Sequence, residues 1–232
     1  MLPTFVEDTL TEASFVFLRG SSFISALNIP VISTGRPFSF YRTVLFGGRS
    51  EAEVLAELRG KVVVDVGCGL TPYLADSMFQ VCRREGIEFY GIDPKIGQGF
   101  RFGAFDTLKS LATGAKHVPN PNAPGLERAK AAFADNLPFA DASVDVILSN
   151  FLLGAWIHDE ETLAKIYTEF LRVLKPGGAV HLYPQPKWVP EHRHRPAFLA
   201  CMRRFDVRQE FRMGRLDFWT YPPAYVTVMT KK

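Results

Sequence analysis

The sequence predicts an α/β fold in which a mostly parallel sheet is wound with helices. Two observations carry that prediction. Residues 62–69 read Val-Val-Val-Asp-Val-Gly-Cys-Gly, an uninterrupted apolar strand that runs straight into a Gly-x-Gly turn. Such a strand suits burial on both faces of a parallel sheet. From there strand-like and helix-like segments alternate to residue 183, the order that places sites at the carboxyl ends of the strands.

The elements follow in order. Residues 1–49 are rich in aromatics (Phe5, Phe15, Phe17, Phe23, Phe38, Phe40, Tyr41, Phe46) and predict one or two short helices, then an irregular stretch around Gly35-Arg36-Pro37. Ser50 and Glu53 form a capping box for a short helix with Val54, Leu55 and Leu58 on its apolar side, and Gly60 ends it. After the first strand, Thr71 is expected to cap a helix over 72–84 with Pro72 at its first position. Residues 88–92 make a second strand that stops at Asp93-Pro94. The long connection that follows holds a helix near 104–112, a Pro/Asn-rich loop at 117–125 and a short strand at 131–133. A fourth strand runs over 144–149, with Asn150 at its carboxyl end. Residues 159–174 carry Leu163, Ile166, Tyr167, Phe170, Leu171 and Leu174 at helical spacing, and Lys175-Pro176-Gly177-Gly178 stops that helix. A fifth strand at 179–183 and tail strands near 207–211 and 225–230 complete the chain.

Composition bounds the reading. The chain has 232 residues, 47% hydrophobic and 22% charged, which fits one globular domain, or one domain with a cap. A net charge of +3 without a Lys/Arg run argues against nucleic acid as partner. The three cysteines lie far apart, so neither a disulfide framework nor a zinc site is expected. An acidic N-terminal stretch (Glu7, Asp8, Glu12) and the absence of a long apolar run predict a cytoplasmic protein that does not engage a membrane.

The glycine turn suggests a nucleoside-like ligand. Gly67 and Gly69 let backbone approach it closely, and Asp93 could accept both hydroxyls of a ribose or simply close a turn before proline. The third glycine of a dinucleotide fingerprint is replaced by Pro72, which argues against a nicotinamide cofactor.

Three stretches together resemble the class I S-adenosylmethionine-dependent methyltransferases, most nearly the type 11 group that includes ubiquinone and menaquinone C-methyltransferases. They are Val64-Asp65-Val66-Gly67-Cys68-Gly69; Asn136-Leu137-Pro138-Phe139 with the strand Ser143 to Asn150; and Leu171-Arg172-Val173-Leu174-Lys175-Pro176-Gly177-Gly178. The resemblance implies a Rossmann-like seven-stranded sheet with an antiparallel last strand, and S-adenosyl-L-methionine as cofactor. It implies that Asp65, Gly67, Cys68 and Gly69 meet the methionine end, and that Asp93 with Pro94 meets the ribose. Phe133, Ala134 and Asp135 would border the adenine, while Asn150 and Phe151 would lie near the sulfonium. Relatives usually place an aspartate at the Phe133 position, so either Phe133 stacks on the base or Asp135 substitutes. A histidine pair common after the fourth strand is here Gly154-Ala155.

The expected function is methyl transfer to a small-molecule acceptor, with residues 1–49 as a cap and 50–232 as the cofactor-binding domain. A non-catalytic scaffold or sensor, or a nicotinamide-dependent oxidoreductase, are the alternatives. Catalytic residues are not legible in the sequence; Tyr41, Arg42, His158 and His181 are the weak candidates. His192-Arg193-His194 reads as a solvated basic loop, and no metal site is expected.

Overall fold

The computed structural model describes residues 2–26, 35–96, 107–108, 111, 114–190, 194–213 and 220–232. The expected helix near 104–112 and residues 192–193 of the basic loop lie mostly or wholly outside these.

Seven strands form one sheet: β1 (Val62–Val66), β2 (Glu88–Ile92), β3 (Ala129–Lys130), β4 (Val144–Asn150), β5 (Leu174–Gln185), β6 (Phe205–Arg212) and β7 (Ala224–Lys231). Their spatial order is β3-β2-β1-β4-β5-β7-β6. Neighbours from β3 to β5 pair in parallel, and β7 runs antiparallel to both β5 and β6. The chain reverses its winding direction between β1 and β4, and open α/β sheets bind ligands at the carboxyl ends beside such a switch.

Among the described residues six α-helices flank the sheet: α1 (Thr4–Ala26), α2 (Phe38–Val44), α3 (Glu51–Leu58), α4 (Met78–Arg84), α5 (Glu160–Val173) and α6 (Pro196–Met202). Ser50 and Glu53 form the expected capping box on α3. Asp159 caps α5 by accepting from the Thr162 N–H, and α5 buries Leu163, Ile166, Tyr167 and Phe170 against one face of the sheet. The opposite face is covered by α2, α3 and α4, whose Phe40, Tyr41, Val54, Leu58, Met78 and Phe79 pack on Val63, Val146 and Leu148.

Three expectations need correction. First, no helix starts at Thr71. Residues Thr71–Tyr73 form one 3-10 turn with no side-chain cap, Leu74 is extended, and Ser77 caps α4 instead by accepting from the Gln80 N–H. The break receives another segment: Phe38 N donates to Asp76 O at 2.7 Å, and Pro37 bridges to Ser77. Second, the Lys-Pro-Gly-Gly run is not a separate turn. β5 begins at Leu174, Gly177 takes a positive φ of 75°, and Lys175 Nζ donates to Asp145 on β4 at 2.7 Å. Third, α1 is one helix of 23 residues rather than a short one. It buries Phe15 and Leu18 in the core and docks on the sheet's end through polar groups as well, Ser14 Oγ donating to Pro223 O and Tyr225 Oη to Asp8, contacts that apolar periodicity does not register.

Arg172 joins two of the family-like stretches. Its guanidinium donates to the carbonyls of Leu137 and Phe139 and to Glu169 and Asp141. This holds the loop before β4 onto the last turn of α5.

Candidate functional site

The site is built at the carboxyl ends of β1, β2 and β4. Gly67 and Gly69 have φ of 74° and 54°, conformations that suit glycine. A Cβ on Gly67 would stand 2.9 Å from Leu152, so a side chain there is excluded sterically as well. Gly67 N donates to Ile92 O at 2.8 Å, and Gly69 N donates to Asp93 Oδ2 at 3.1 Å. Asp93 also accepts from Lys95 N at 3.0 Å, while Pro94 is half-buried beside it. Asp93 therefore braces both its own turn and the glycine turn. The carboxylate oxygens retain further lone pairs for a ligand. Gly91 on β2 was not singled out in the sequence, yet a Cβ there would meet Pro72 at 2.9 Å and Cys68 Sγ at 3.0 Å. Its lack of a side chain is what lets the glycine turn lie on β2. The Cys68 thiol is buried, and burial pushes its pKa well above the ordinary value, so it stays a packed, protonated thiol.

Asp65 is 1% exposed and points to the face covered by α2. The Tyr41 hydroxyl donates to its Oδ2 at 2.5 Å, and Oδ1 has no hydrogen-bond partner among the described residues. Burial pushes the Asp65 carboxyl up to about 7, against the pull of the Tyr41 hydrogen bond and of the Arg36 charge. Burial likewise raises the Tyr41 phenol well above its usual range. Tyr41 thus serves as a donor to Asp65 within the core. Asn150, 4% exposed, ends β4, and its amide Nδ2 and Oδ1 are both unpaired among the described residues. Asp65 and Asn150 stand on adjacent strands, and unpaired polar groups this deeply buried are uncommon. Phe151 follows with a positive φ of 64°, a strained setting for a bulky residue of the kind that clusters at functional sites.

The remaining candidates are spread over other elements. Phe133 is 67% exposed and Asp135 is exposed, in the irregular segment after β3, with half-buried Ala134 between them. Asp135 lines an open groove of about 880 Å³ with Glu160, Lys165, Thr168 and Arg195, on the α5 side. Arg42 is partly exposed on α2, and His158 is exposed just before the Asp159 cap. His181 packs against Phe46, ring centroids 5.5 Å apart, and burial lowers its pKa. Sequence reasoning passed over Arg36, which the chain buries between Phe40 and Phe151.

The described part of the basic loop is tied down by His194. Its ring stacks on Trp188, and its nitrogens meet Glu160 Oε1 at 2.7 Å and Val189 O at 2.9 Å. Burial disfavours the imidazolium, but these two acceptors outweigh it and raise the pKa. A raised histidine pKa adds stability that is fully present below the unfolded value, about 6.5, and is lost as pH rises through the folded value. The expected result is that His194→Gln flattens the fall in melting temperature between roughly pH 6 and 8. An unchanged pH profile would show that the contact carries no proton linkage.

A family model described as a methyltransferase domain, of type 11, matches residues 64–182, half of the chain. The chain belongs to that methyltransferase family. A methyltransferase domain implies S-adenosylmethionine as the methyl donor. The residues fit that group: a glycine turn with no room for side chains stands beside a buried, half-unpaired Asp65.

Two curated proteins are similar over part of their length. A tRNA U34 carboxymethyltransferase of Desulfotalea psychrophila is 30% identical over 134 residues, covering 56% of this chain and 34% of that protein. A U6 snRNA (guanine-N(2))-methyltransferase of Bos taurus is 25% identical over 186 residues, covering 77% of this chain and 33% of that protein. The chain thus spans about one third of the length of these relatives. A solved SAM-dependent methyltransferase from Methanosarcina mazei aligns at a TM-score of 0.44 and 17% identity, covering 77% of this chain and 96% of the other.

The two curated names overturn the exclusion of nucleic acid drawn above. Net charge sums over the whole chain and does not report what one catalytic pocket admits. No helix of the described residues is long and apolar enough to cross a membrane.

Proposed function

We propose that this chain transfers the methyl group of S-adenosylmethionine to a small-molecule acceptor held beside Asn150 and Phe151. The observation that carries this reading is the pair of buried, incompletely paired side chains Asp65 and Asn150 on neighbouring strand ends. In this proposal Asp65 and the Gly67-Cys68-Gly69 turn hold the amino-acid end of the cofactor, and Asp93 with Pro94 holds the ribose. Phe133 to Asp135 border the base. Residues 1–49 form a cap over the carboxyl ends of the strands, and 50–232 form the cofactor-binding domain.

The bound cofactor supplies a methyl group on a positively charged sulfur. When bound, it would donate that methyl to the acceptor atom, with sulfur keeping the electron pair of the broken bond. The chain's part is to align the two and exclude water. Asn150 can orient the acceptor through its unpaired amide. Tyr41 holds Asp65 in place. Neither His158, exposed, nor His181, packed under Phe46, is proposed as a base.

Phe133 is proposed to stack on the adenine. Phe133→Ala is then expected to weaken cofactor binding by roughly 1–3 kcal/mol, the range for bases on aromatic side chains, and Asp135→Asn by less. Because Phe133 is largely exposed, its truncation should leave folding intact. Isothermal titration with S-adenosylhomocysteine reads the ranking, and the opposite order would assign the base to Asp135.

A second reading, an RNA acceptor, is favoured by the two curated relatives. Labelled S-adenosylmethionine incubated with the protein, a small-molecule extract and total RNA separates the two. Label in the small-molecule fraction is expected. Label in RNA alone would replace the acceptor class.

A further inference from the structure

Arg36 is 9% exposed, yet it is not neutralised by a close partner at its buried nitrogen. Its Nε has no hydrogen-bond acceptor among the described residues. The nearby Asp65 gives Oδ2 to Tyr41 and leaves Oδ1 unpaired, so the two charges do not close on each other at these atoms. Instead the guanidinium carbon lies 4.0 Å from the ring centre of Phe151 and 4.8 Å from that of Phe40. Tyr41, Asp65, Tyr183 and Tyr221 are close enough to act on its charge. Burial lowers the Arg36 pKa to about 10, so it remains a cation at neutral pH. A buried cation with an unused donor costs stability unless something else accounts for it.

The placement indicates which ligand. Phe151 follows β4, Tyr183 lies on β5 and Tyr221 precedes β7. These are on the opposite side of Asp65 from β2, where the ribose is proposed to sit. The rings also meet one another, tilted or edge-on: Phe40 lies 5.1 Å from Tyr221 and 6.3 Å from Phe151, and Phe151 lies 6.0 Å from Tyr183. An arginine between flat apolar walls recognises an oxyanion attached to a flat or apolar body.

We propose that Arg36 is a specificity-determining residue that binds a carboxylate or phosphate on the methyl acceptor. This deepens the function proposed above and rests on it. The shared chemistry, an oxyanion on guanidinium, has a second possible source in the cofactor's own carboxylate, and the experiment separates the two.

The probes are benzoate, phenyl phosphate and the neutral benzamide. Each is titrated into the full-length protein with and without S-adenosylhomocysteine, and binding is followed by melting temperature and calorimetry. Wild type should bind one of the two anions at least about tenfold more tightly than benzamide. Arg36→Met, similar in length and apolar, should lose that preference while keeping S-adenosylhomocysteine affinity within about threefold. If Arg36→Met does not fold, Arg36→Lys is read instead. It keeps the charge but not the planar fork and should lower anion affinity by about tenfold or more. Equal binding of benzamide and both anions by wild type, or an anion preference retained by the variant, overturns the proposal. A fall of about tenfold or more in S-adenosylhomocysteine affinity with Arg36→Met overturns it too, by moving the contact to the cofactor. Failure of S-adenosylhomocysteine to bind wild type would sink the cofactor-site reading alone, and the anion arm without it would still decide the role of Arg36.

Discussion

Phe40→Ala is expected to destabilise the protein by about 3–5 kcal/mol, the cost of emptying a large aromatic site in a core. Phe40 is 0% exposed. Its ring contacts Tyr41, Phe151, Tyr183 and Tyr221 at centroid distances of 5.1–6.4 Å, with Arg36 at 4.8 Å. It therefore joins α2 to the ends of β4 and β5 and to the segment before β7. Domains of this kind have only about 5–15 kcal/mol in total, so the loss is a large share. At roughly 2–4 °C per kcal/mol for this chain length the melting temperature should fall by about 6–20 °C. The same packing predicts that deletion of residues 1–40 unfolds the domain rather than merely uncapping it. A chemical melt in which Phe40→Ala costs under about 1 kcal/mol would show that α2 lies on the core without supporting it.

Asp93→Ala is expected to weaken cofactor binding by about 1.5–3 kcal/mol, or roughly 10- to 150-fold, the range for hydrogen bonds to a charged group. The variant should also lose about 1–2 kcal/mol of stability without ligand, because Asp93 accepts from Gly69 N and Lys95 N. Binding by calorimetry and stability by denaturant melt separate the two. Unchanged affinity with reduced stability would make Asp93 a turn residue only.

Much of the sheet was legible because β1, β2 and β4 carry short apolar runs in local sequence, bounded by Gly67, Asp93 and Asn150. The capping box of α3 and the Asp159 cap of α5 are short-range chemistry that a sequence states directly. The break at Leu74 was not legible. Thr71-Pro72 is a sound helix start by local rules, and the competing cause is distant, namely Phe38 bonding to the carbonyl of Asp76. Arg36 escaped for the same reason. A lone arginine between glycine and proline has no local signature, and its burial against Phe151 exists only once α2 packs on β4. Gly91 could have been noticed as a glycine inside a strand, a mark of close backbone or side-chain approach. The acceptor was least legible, because net charge averages over 232 residues while recognition depends on a few groups in one pocket.

The glycine turn, Asp65 and Asp93 together are the proposed site for S-adenosylmethionine. The most direct test is the melting temperature of the full-length protein with S-adenosylhomocysteine and, separately, with NAD. At 100-fold over the dissociation constant a ligand of the native state adds about 2.7 kcal/mol, which for this size raises the melting temperature by roughly 5–10 °C. S-adenosylhomocysteine is expected to give that rise, and NAD none. A rise with NAD and none with S-adenosylhomocysteine would contradict the proposed site.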